Sequence, residues 1–357
     1  MAAPVVAGPS RLVWLDLARG LAVVSMVIAH ASPVGGVFEL TAYYTAPLFA
    51  LLLGLSLQLK WDRRTLDVPR FVLTQVLRGV LLLGIGLAVA PIHWQVVVVL
   101  PWLGGLTVVL ALLLPALGPR PKVSALLALA VFVAGPVLTS AGREWLVEAG
   151  AAGQSGAGRA LLRWVVEVSV AGRYYQLLTF LFFALLGMAL LGTIRRWGED
   201  RWAGSSIASW LAVLSAVALA VGGSRPEGMP PDSGTHLELF FDAVLAVFVV
   251  WFLVALQAWT GAARLTRWLA ALVATGRMAL SAYVLQLVLL WAGVTLLAPA
   301  NGRDDHWSIM VPTIGLMLAV CWVWQRLGWP RPIEWILRIP QRLVAGPAAP
   351  QRTSPQR

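Results

Sequence analysis

Residues 14–30, WLDLARGLAVVSMVIAH, decide how this sequence folds. The stretch is apolar enough to enter a bilayer, yet it contains Arg19 and His30. Ionisable side chains are costly in hydrocarbon, so both indicate a functional site that faces the protein interior. Eleven residues at about 100° each place both on one helix face, about 16 Å apart along the axis. Asp16 lies one turn before Arg19 and is predicted to pair with it.

A structural interpretation stands beside this functional one. Arg19 and Asp16 alone would form a stabilising ion pair, and a histidine at the end of a span commonly bonds to a backbone carbonyl. The functional interpretation assigns His30 as a general base, because imidazole titrates near neutral pH. It assigns Arg19 as a donor of hydrogen bonds to a phosphate or carboxylate.

The whole chain has the composition of a membrane protein. It has 357 residues, of which 59% are hydrophobic and 12% charged, and its mean hydropathy is +0.80. Apolar runs long enough to cross about 30 Å of hydrocarbon recur along it. We therefore predict an all-α, polytopic membrane protein with about ten transmembrane helices in one bundle, over residues 1–338. The ten spans are predicted at 13–32, 41–59, 71–90, 96–116, 123–141, 174–194, 204–222, 237–258, 271–298 and 309–328.

The arginines indicate orientation and partners. The net charge is +11, and many basic residues fall in short loops between spans, where they set topology and contact anionic lipids. This distribution predicts that both termini are cytoplasmic, that residues 339–357 form a disordered tail, and that the protein is multi-pass in the plasma membrane. We expect membrane lipids as partners and no nucleic acid, and leave a homo-oligomer open.

A dense basic patch follows the second predicted span, with the side chains Lys60, Arg63, Arg64, Arg70 and Arg78. Such a patch is suited to the phosphates of an anionic cosubstrate. A topology signal with lipid contact is the alternative interpretation. The residues predicted to bind the cosubstrate are Arg19, Arg63, Arg64 and Arg70.

Polar residues within later spans are further candidates. Glu238 and Asp242 share a helix face at (i, i+4) spacing, and Asp242 is predicted to orient the catalytic histidine. The alternatives are that Asp242 pairs with an arginine on another span or that both carboxylates lie at a solvated helix mouth. For Tyr283 and Gln286 the alternative is polar contact between helices. The predicted substrate-binding residues are Tyr43, Glu238, Tyr283 and Gln286. No spacing of Cys, His, Asp or Glu in the sequence indicates a metal site.

Several segments resemble the transmembrane acyltransferase superfamily, which includes acyltransferase-3 proteins, heparan-α-glucosaminide N-acetyltransferases and YeiB-like proteins. The segment RLVWLDLARGLAVVSMVIAH, residues 11–30, matches the Arg-x10-His spacing of the acyltransferase-3 branch. Other segments resemble the YeiB-like branch: APLFALLLGLSLQL (46–59), FLFFALLGMALLG (180–192), SGTHLELFFDAVLAV (233–247), TGRMALSAYVLQ (275–286) and RPIEWILR (331–338).

This resemblance implies acyl transfer. An acyl group would move from a cytoplasmic acyl-CoA to a hydroxyl or amine on a cell-envelope or secreted glycan, lipid or small molecule. Carried over by position, His30 is the catalytic base or acyl carrier, and Arg19 stabilises the acyl donor. The alternative is a transporter or exporter of a lipid or small metabolite, with Arg19 and His30 as binding and proton-relay site. A non-catalytic scaffold or sensor is a third hypothesis.

Overall fold

A computed structural model describes residues 12–33, 38, 40–92, 95–151, 157–205, 210, 214, 234–299 and 302–345. Within them all regular structure is helical, and nine helices are long and apolar enough to cross a membrane. The chain is thus an all-helical, polytopic membrane protein, as predicted. The described helices are α1 (Val13–Ala31), α2 (Leu40–Asp62), α3 (Val68–Val89), α4 (Leu100–Leu117), α5 (Pro121–Ala151), α6 (Ala157–Val166), α7 (Leu177–Trp197), α8 (Glu199–Ala203), α9 (His236–Thr260), α10 (Ala262–Trp268), α11 (Ala270–Arg277), α12 (Ala279–Leu297), α13 (Trp307–Arg326) and α14 (Ile339–Ala345).

Helix α1 lies at the centre of the bundle. Thirteen of its 19 residues are buried, and it contacts α2, α9, α11, α12 and α13. In contrast, α3 and α5 expose apolar side chains such as Leu87 and Leu126, as helices that face lipid do. The ionisable side chains of α1 are therefore surrounded mainly by protein.

Glycines allow the helices that carry the charged residues to approach closely. A β-carbon at Gly20 or Gly276 would collide with the backbone of the neighbouring helix, so α1 and α11 meet at these two positions. Gly54 and Gly187 have the same role between α2 and α7. These contacts fix α1 between its neighbours along much of its length.

The structure corrects the predicted ninth span, 271–298, which is two helices interrupted at Met278. The backbone N–H groups of Leu280 and Ser281 donate to the carboxylate of Glu334, at 2.9 and 3.0 Å. In a continuous helix they would donate to carbonyls four residues earlier. The single-helix prediction failed here because the acceptor that replaces those carbonyls comes from 54 residues later in the chain.

Other predicted boundaries also change. Helix α5 continues to Ala151, beyond the end predicted for the fifth span at residue 141. The predicted seventh span, 204–222, lies largely outside the described residues. Within the predicted tail, Ile339–Ala345 form α14, which contacts α3, and residues 346–357 lie outside the described part. The cytoplasmic location of both termini stays a prediction.

Candidate active site

The charged residues near the start of α1 form a compact cluster. Asp16 is 2% exposed, and its two carboxylate oxygens accept hydrogen bonds from Arg19 Nη1 at 3.4 Å and from Arg277 Nε at 3.2 Å. Arg19 Nη2 also donates to Ser56 Oγ at 2.6 Å. The predicted pair of Asp16 and Arg19 is confirmed, and Arg277 is a second cationic partner that the spacing did not predict.

A cavity of about 370 Å³ opens beside Arg19. It lies between α1, α2, α3, α4, α11, α12 and the segment 331–338, and we call it the basic cavity. Six of its lining side chains are basic: Arg19, Lys60, Arg78, Arg277, Arg331 and Arg338. Most of its other lining residues are apolar: Phe49, Leu52, Leu53, Leu57, Leu82, Val99, Leu100, Leu103, Leu280 and Leu337. This combination suits a ligand that has both anionic and apolar parts.

The charge of the basic cavity is strongly positive. Among the described lining residues Glu334 is the single carboxylate, and its oxygens accept hydrogen bonds from the start of α12. Lys60 interacts electrostatically with Arg78 and Arg19, and Arg78 with Arg338. Because like charges repel, an anion bound here is favoured.

Gln75 and Tyr283 are two of the uncharged polar side chains that line the basic cavity. The carbonyl oxygen Oε1 of Gln75 is buried and has no hydrogen-bond partner among the described residues. An unsatisfied buried acceptor is unfavourable, so a donor on a ligand would stabilise it. The hydroxyl of Tyr283 accepts a hydrogen bond from the backbone N–H of Val99 at 3.1 Å. The predicted residue Tyr283 thus joins α12 to the start of α4.

The ends of α1 differ in their neighbours. Helices α2 and α9 both run antiparallel to α1, since Ser25 bonds to Tyr44 at 2.7 Å and the Trp14 N–H donates to Gln257 Oε1 at 2.8 Å. The first residues of α2 and α9 therefore lie at the His30 end. The basic cavity lies towards the other end, beside Arg19.

Four predicted residues lie at the His30 end. His30 is half-buried in the last turn of α1. The ring of Tyr43 packs edge-on against Phe241, with centroids 5.4 Å apart. Asp242 is buried in α9, and Glu238 accepts a hydrogen bond at 2.6 Å from a backbone N–H four residues earlier. Glu238 thus caps the start of α9, while the role predicted for Asp242 stays a prediction.

A packed stretch of α1 separates the two ends. Val23 and Met26 lie between Arg19 and His30 on nearly the same helix face, and both are buried in the hydrophobic core. His30 is not among the residues that line the basic cavity. The two ionisable residues therefore share one uninterrupted helix but occupy different environments.

The remaining predicted binding residues lie elsewhere. Arg63 is exposed. Arg64 lies over the ring of Trp61, at 3.9 Å from its centroid, and lines a second cavity of about 420 Å³. Arg70 pairs with Asp67 at 3.6 Å on an exposed surface. These three arginines do not line the basic cavity, and their assignment to the cosubstrate stays a prediction.

Gln286 lies one turn beyond Tyr283 on α12. Its side chain is fully buried, and neither amide atom has a hydrogen-bond partner among the described residues. It does not line the basic cavity. A role for Gln286 in binding substrate stays a prediction.

Several residues of the basic cavity were not predicted to belong to a site. Lys60 and Arg78 come from the predicted basic patch, but from within α2 and α3 and not from the loop between them. Arg331, Glu334 and Arg338 come from the segment 331–338. The signal for this segment was its resemblance to the YeiB-like branch, which indicates no position in the fold.

The fold and the basic cavity define a class, a polytopic membrane protein with a basic cavity among its helices. The model of the acyltransferase-3 family, described as an acyltransferase domain, matches residues 12–325. The chain therefore belongs to this family and is a multi-pass membrane acyltransferase. No curated protein matches the chain.

Proposed function

We propose that this acyltransferase takes its acyl group from acyl-CoA bound in the basic cavity at the cytoplasmic side of the plasma membrane. The acceptor is a hydroxyl or amine of a cell-envelope or secreted glycan, lipid or small molecule. The observation that carries the proposal is the convergence of six basic side chains on one cavity that is otherwise largely apolar.

The chemistry of acyl-CoA fits these lining residues. Its phosphates are anionic, and guanidinium and ammonium groups bind phosphate through charge-assisted hydrogen bonds. Three walls of the cavity supply such groups: Lys60 from α2, Arg78 from α3 and Arg338 from the segment 331–338. The pantetheine arm contains amide N–H groups, for which the buried Gln75 Oε1 is an acceptor. The acyl chain is apolar and finds leucine side chains in the same cavity.

The proposed reaction is a direct transfer with His30 as general base. His30 accepts the proton of the acceptor hydroxyl or amine while the acceptor oxygen or nitrogen attacks the thioester carbonyl. A bond forms between the acceptor and the acyl carbon, the carbon–sulfur bond breaks, and the coenzyme A thiolate leaves. The proton on His30 then passes to the departing thiolate or to water, which restores the neutral imidazole. Asp242 is proposed to orient His30.

The distance between the Arg19 end and the His30 end of α1 means that the thioester must move before it can react. Arg19 and His30 are about 16 Å apart along α1, and Val23 and Met26 between them are buried. The acyl end must therefore pass this stretch, or the stretch must open, before the thioester reaches His30. The proposal separates two roles: the Arg19 end binds the donor, and the His30 end carries out the proton transfer.

The test uses the full chain, purified and reconstituted in lipid nanodiscs, with radiolabelled acetyl-CoA. Release of free coenzyme A reports thioester consumption. Arg78→Ala is expected to raise KM for acetyl-CoA about tenfold, since a charged hydrogen bond contributes about 1.5 kcal/mol or more. Arg267→Ala is the matched control, because this arginine is exposed on α10 and does not line the basic cavity.

The outcomes separate the enzyme from its main alternative. Thioester consumption that Arg78→Ala weakens and Arg267→Ala leaves unchanged supports the proposal. In sealed vesicles that contain the same chain, accumulation of the radiolabel without thioester consumption would favour the transporter. Equal KM values for wild type and Arg78→Ala would contradict binding of the acyl donor in the basic cavity.

A further inference from the structure

The C-terminal segment 331–338 forms one wall of the basic cavity. Four of its eight residues line the cavity: Arg331, Glu334, Leu337 and Arg338. The segment lies after the last membrane-spanning helix, α13, and beyond residue 325, where the match to the family ends. Part of the site is therefore built from sequence outside the matched domain.

One side chain holds this segment in place. Glu334 Oε1 accepts hydrogen bonds from the backbone N–H groups of Leu280 at 2.9 Å and Ser281 at 3.0 Å, and Oε2 accepts from Ser281 Oγ at 2.6 Å. The hydroxyl of Ser281 in turn accepts a hydrogen bond from the backbone N–H of Ile333 at 3.1 Å. Four hydrogen bonds thus join the segment to the first turn of α12.

The position of this contact makes it favourable. The first N–H groups of a helix have no intrahelical acceptor, and the helix N-terminus carries partial positive charge that a carboxylate stabilises. The break at Met278 creates this N-terminus inside the protein. Helix α12 has 19 residues, so its dipole is fully developed at that end.

Apolar contacts hold the rest of the segment only in part. Ile333 and Leu337 are half-buried and pack against the hydrophobic core, whereas Trp335 is 48% exposed. Apolar burial contributes roughly in proportion to area, so the hydrogen bonds of Glu334 act together with these two partial contacts to fix the segment. Losing them would loosen the segment between α13 and α14, and with it the positions of Arg331 and Arg338 in the cavity wall.

We propose that Glu334 is a positioning residue for the acyl donor. By fixing the segment 331–338 on the first turn of α12, it places Arg331 and Arg338 where they bind the phosphates of acyl-CoA. This inference rests on the function proposed above. It predicts that Glu334, which lies beyond the end of the family match at residue 325 and has no role in the proton transfer, controls the affinity for the acyl donor.

The experiment measures coenzyme A binding to the full chain in nanodiscs by isothermal titration calorimetry, together with acetyl-CoA kinetics. Glu334→Ala is expected to weaken coenzyme A binding at least tenfold and to raise KM to match, with kcat changed less than twofold. Glu334→Gln retains an oxygen that accepts from both N–H groups, so coenzyme A affinity should fall only about threefold in this variant. Arg342→Ala on α14 is the control, because Arg342 is exposed and does not line the cavity.

A double variant tests whether Glu334 acts through the arginine. Glu334→Ala combined with Arg338→Ala should bind coenzyme A no more weakly than Glu334→Ala alone, since the arginine is already displaced. Equal binding by wild type and Glu334→Ala, while Arg78→Ala binds weakly, overturns the inference and leaves the proposed function standing. Absence of coenzyme A binding by the wild type overturns the proposed function itself.

If Glu334→Ala does not fold, two single variants take its place. Arg331→Ala and Arg338→Ala leave the contact with α12 intact, and each should weaken coenzyme A binding about fivefold. Wild-type affinity in both variants would show that the segment does not contact the donor and would overturn the inference.

Discussion

The two ends of α1 carry the same kind of residue, a basic side chain on one helix face, in opposite surroundings. Around Arg19 the neighbours are charged, and a cavity of about 370 Å³ opens beside it. At the His30 end lie the carboxylates of Glu238 and Asp242, beside a buried cluster of Leu40, Tyr43, Phe241 and Leu245. Many like charges favour a bound anion, whereas a half-buried imidazole at an end that also contains two carboxylates suits proton transfer. This difference is the basis for proposing that the Arg19 end binds the acyl donor and that the His30 end carries out proton transfer.

The Arg19 end also shows how a central helix accommodates charge. Asp16 is almost fully buried, and an unpaired carboxylate there would be unfavourable. Arg19 and Arg277 each bond to one of its oxygens, so the cluster is net positive while the carboxylate is satisfied. Gly20 and Gly276 bring the two helices close enough for this arrangement.

The largest expected effect is at the His30 end. His30→Ala should lower kcat by about 10²–10⁴-fold, the usual contribution of a general base. Coenzyme A affinity should stay within twofold of wild type, because His30 does not line the basic cavity. Single-turnover transfer and calorimetric binding measure the two quantities. His306→Ala is the control, since His306 is also half-buried but lies before α13. A parallel loss of affinity in His30→Ala would erase the distinction between the ends.

The next largest effect tests the close packing of α1 against α11 at the Arg19 end. Gly276→Ala places a methyl group against the Asp16 backbone, so α1 and α11 must separate. Overpacking of this kind destabilises by about 1–3 kcal/mol, and coenzyme A affinity should fall with it. Gly315→Ala is the control, because a β-carbon there meets open space. Thermal unfolding in detergent measures the difference, and equal unfolding temperatures for the two variants would contradict the close contact.

A smaller effect concerns how coenzyme A affinity depends on salt concentration. If charge dominates binding at the Arg19 end, raising the salt concentration from 50 to 500 mM should weaken coenzyme A binding about tenfold in wild type. Lys60→Ala should bind more weakly at low salt and show a shallower salt dependence. Calorimetric titrations at four salt concentrations give both slopes. A salt-independent affinity in the wild type would show that the apolar lining, and not the charge, carries the binding.

The smallest effect tests a wall of the basic cavity. Tyr283→Phe removes the acceptor of the Val99 N–H, which should lower the free energy of unfolding by about 1 kcal/mol. Tyr174→Phe is the control, because Tyr174 is 45% exposed. Chemical unfolding of both variants measures the difference. An unchanged stability in Tyr283→Phe would show that water replaces the hydroxyl at this position.

The sequence predicted the helical membrane fold, because apolar runs of span length need no tertiary information. It also predicted the pairing of Asp16 with Arg19, since both lie one turn apart on one helix. The break at Met278 was not predictable, because it depends on an acceptor, Glu334, that lies far away in the chain. Periodicity within one helix cannot report such a contact.

The basic cavity was predictable only in part. The predicted basic patch includes Lys60 and Arg78, which line the cavity. The arginines of the loop in the same patch do not line it. Which basic side chain turns inward depends on how α2 and α3 pack against α1 and α4. The contribution of the segment 331–338 depends likewise on tertiary contact, since Glu334 bonds to the first turn of α12.

The most direct test of the central claim is an experimental structure of the full chain in nanodiscs with coenzyme A bound. We expect the phosphates to lie within hydrogen-bond distance of Lys60 and Arg78 in the basic cavity. Phosphate density in the second cavity, beside Arg64 and Arg196, with the basic cavity filled by lipid or water, would contradict it.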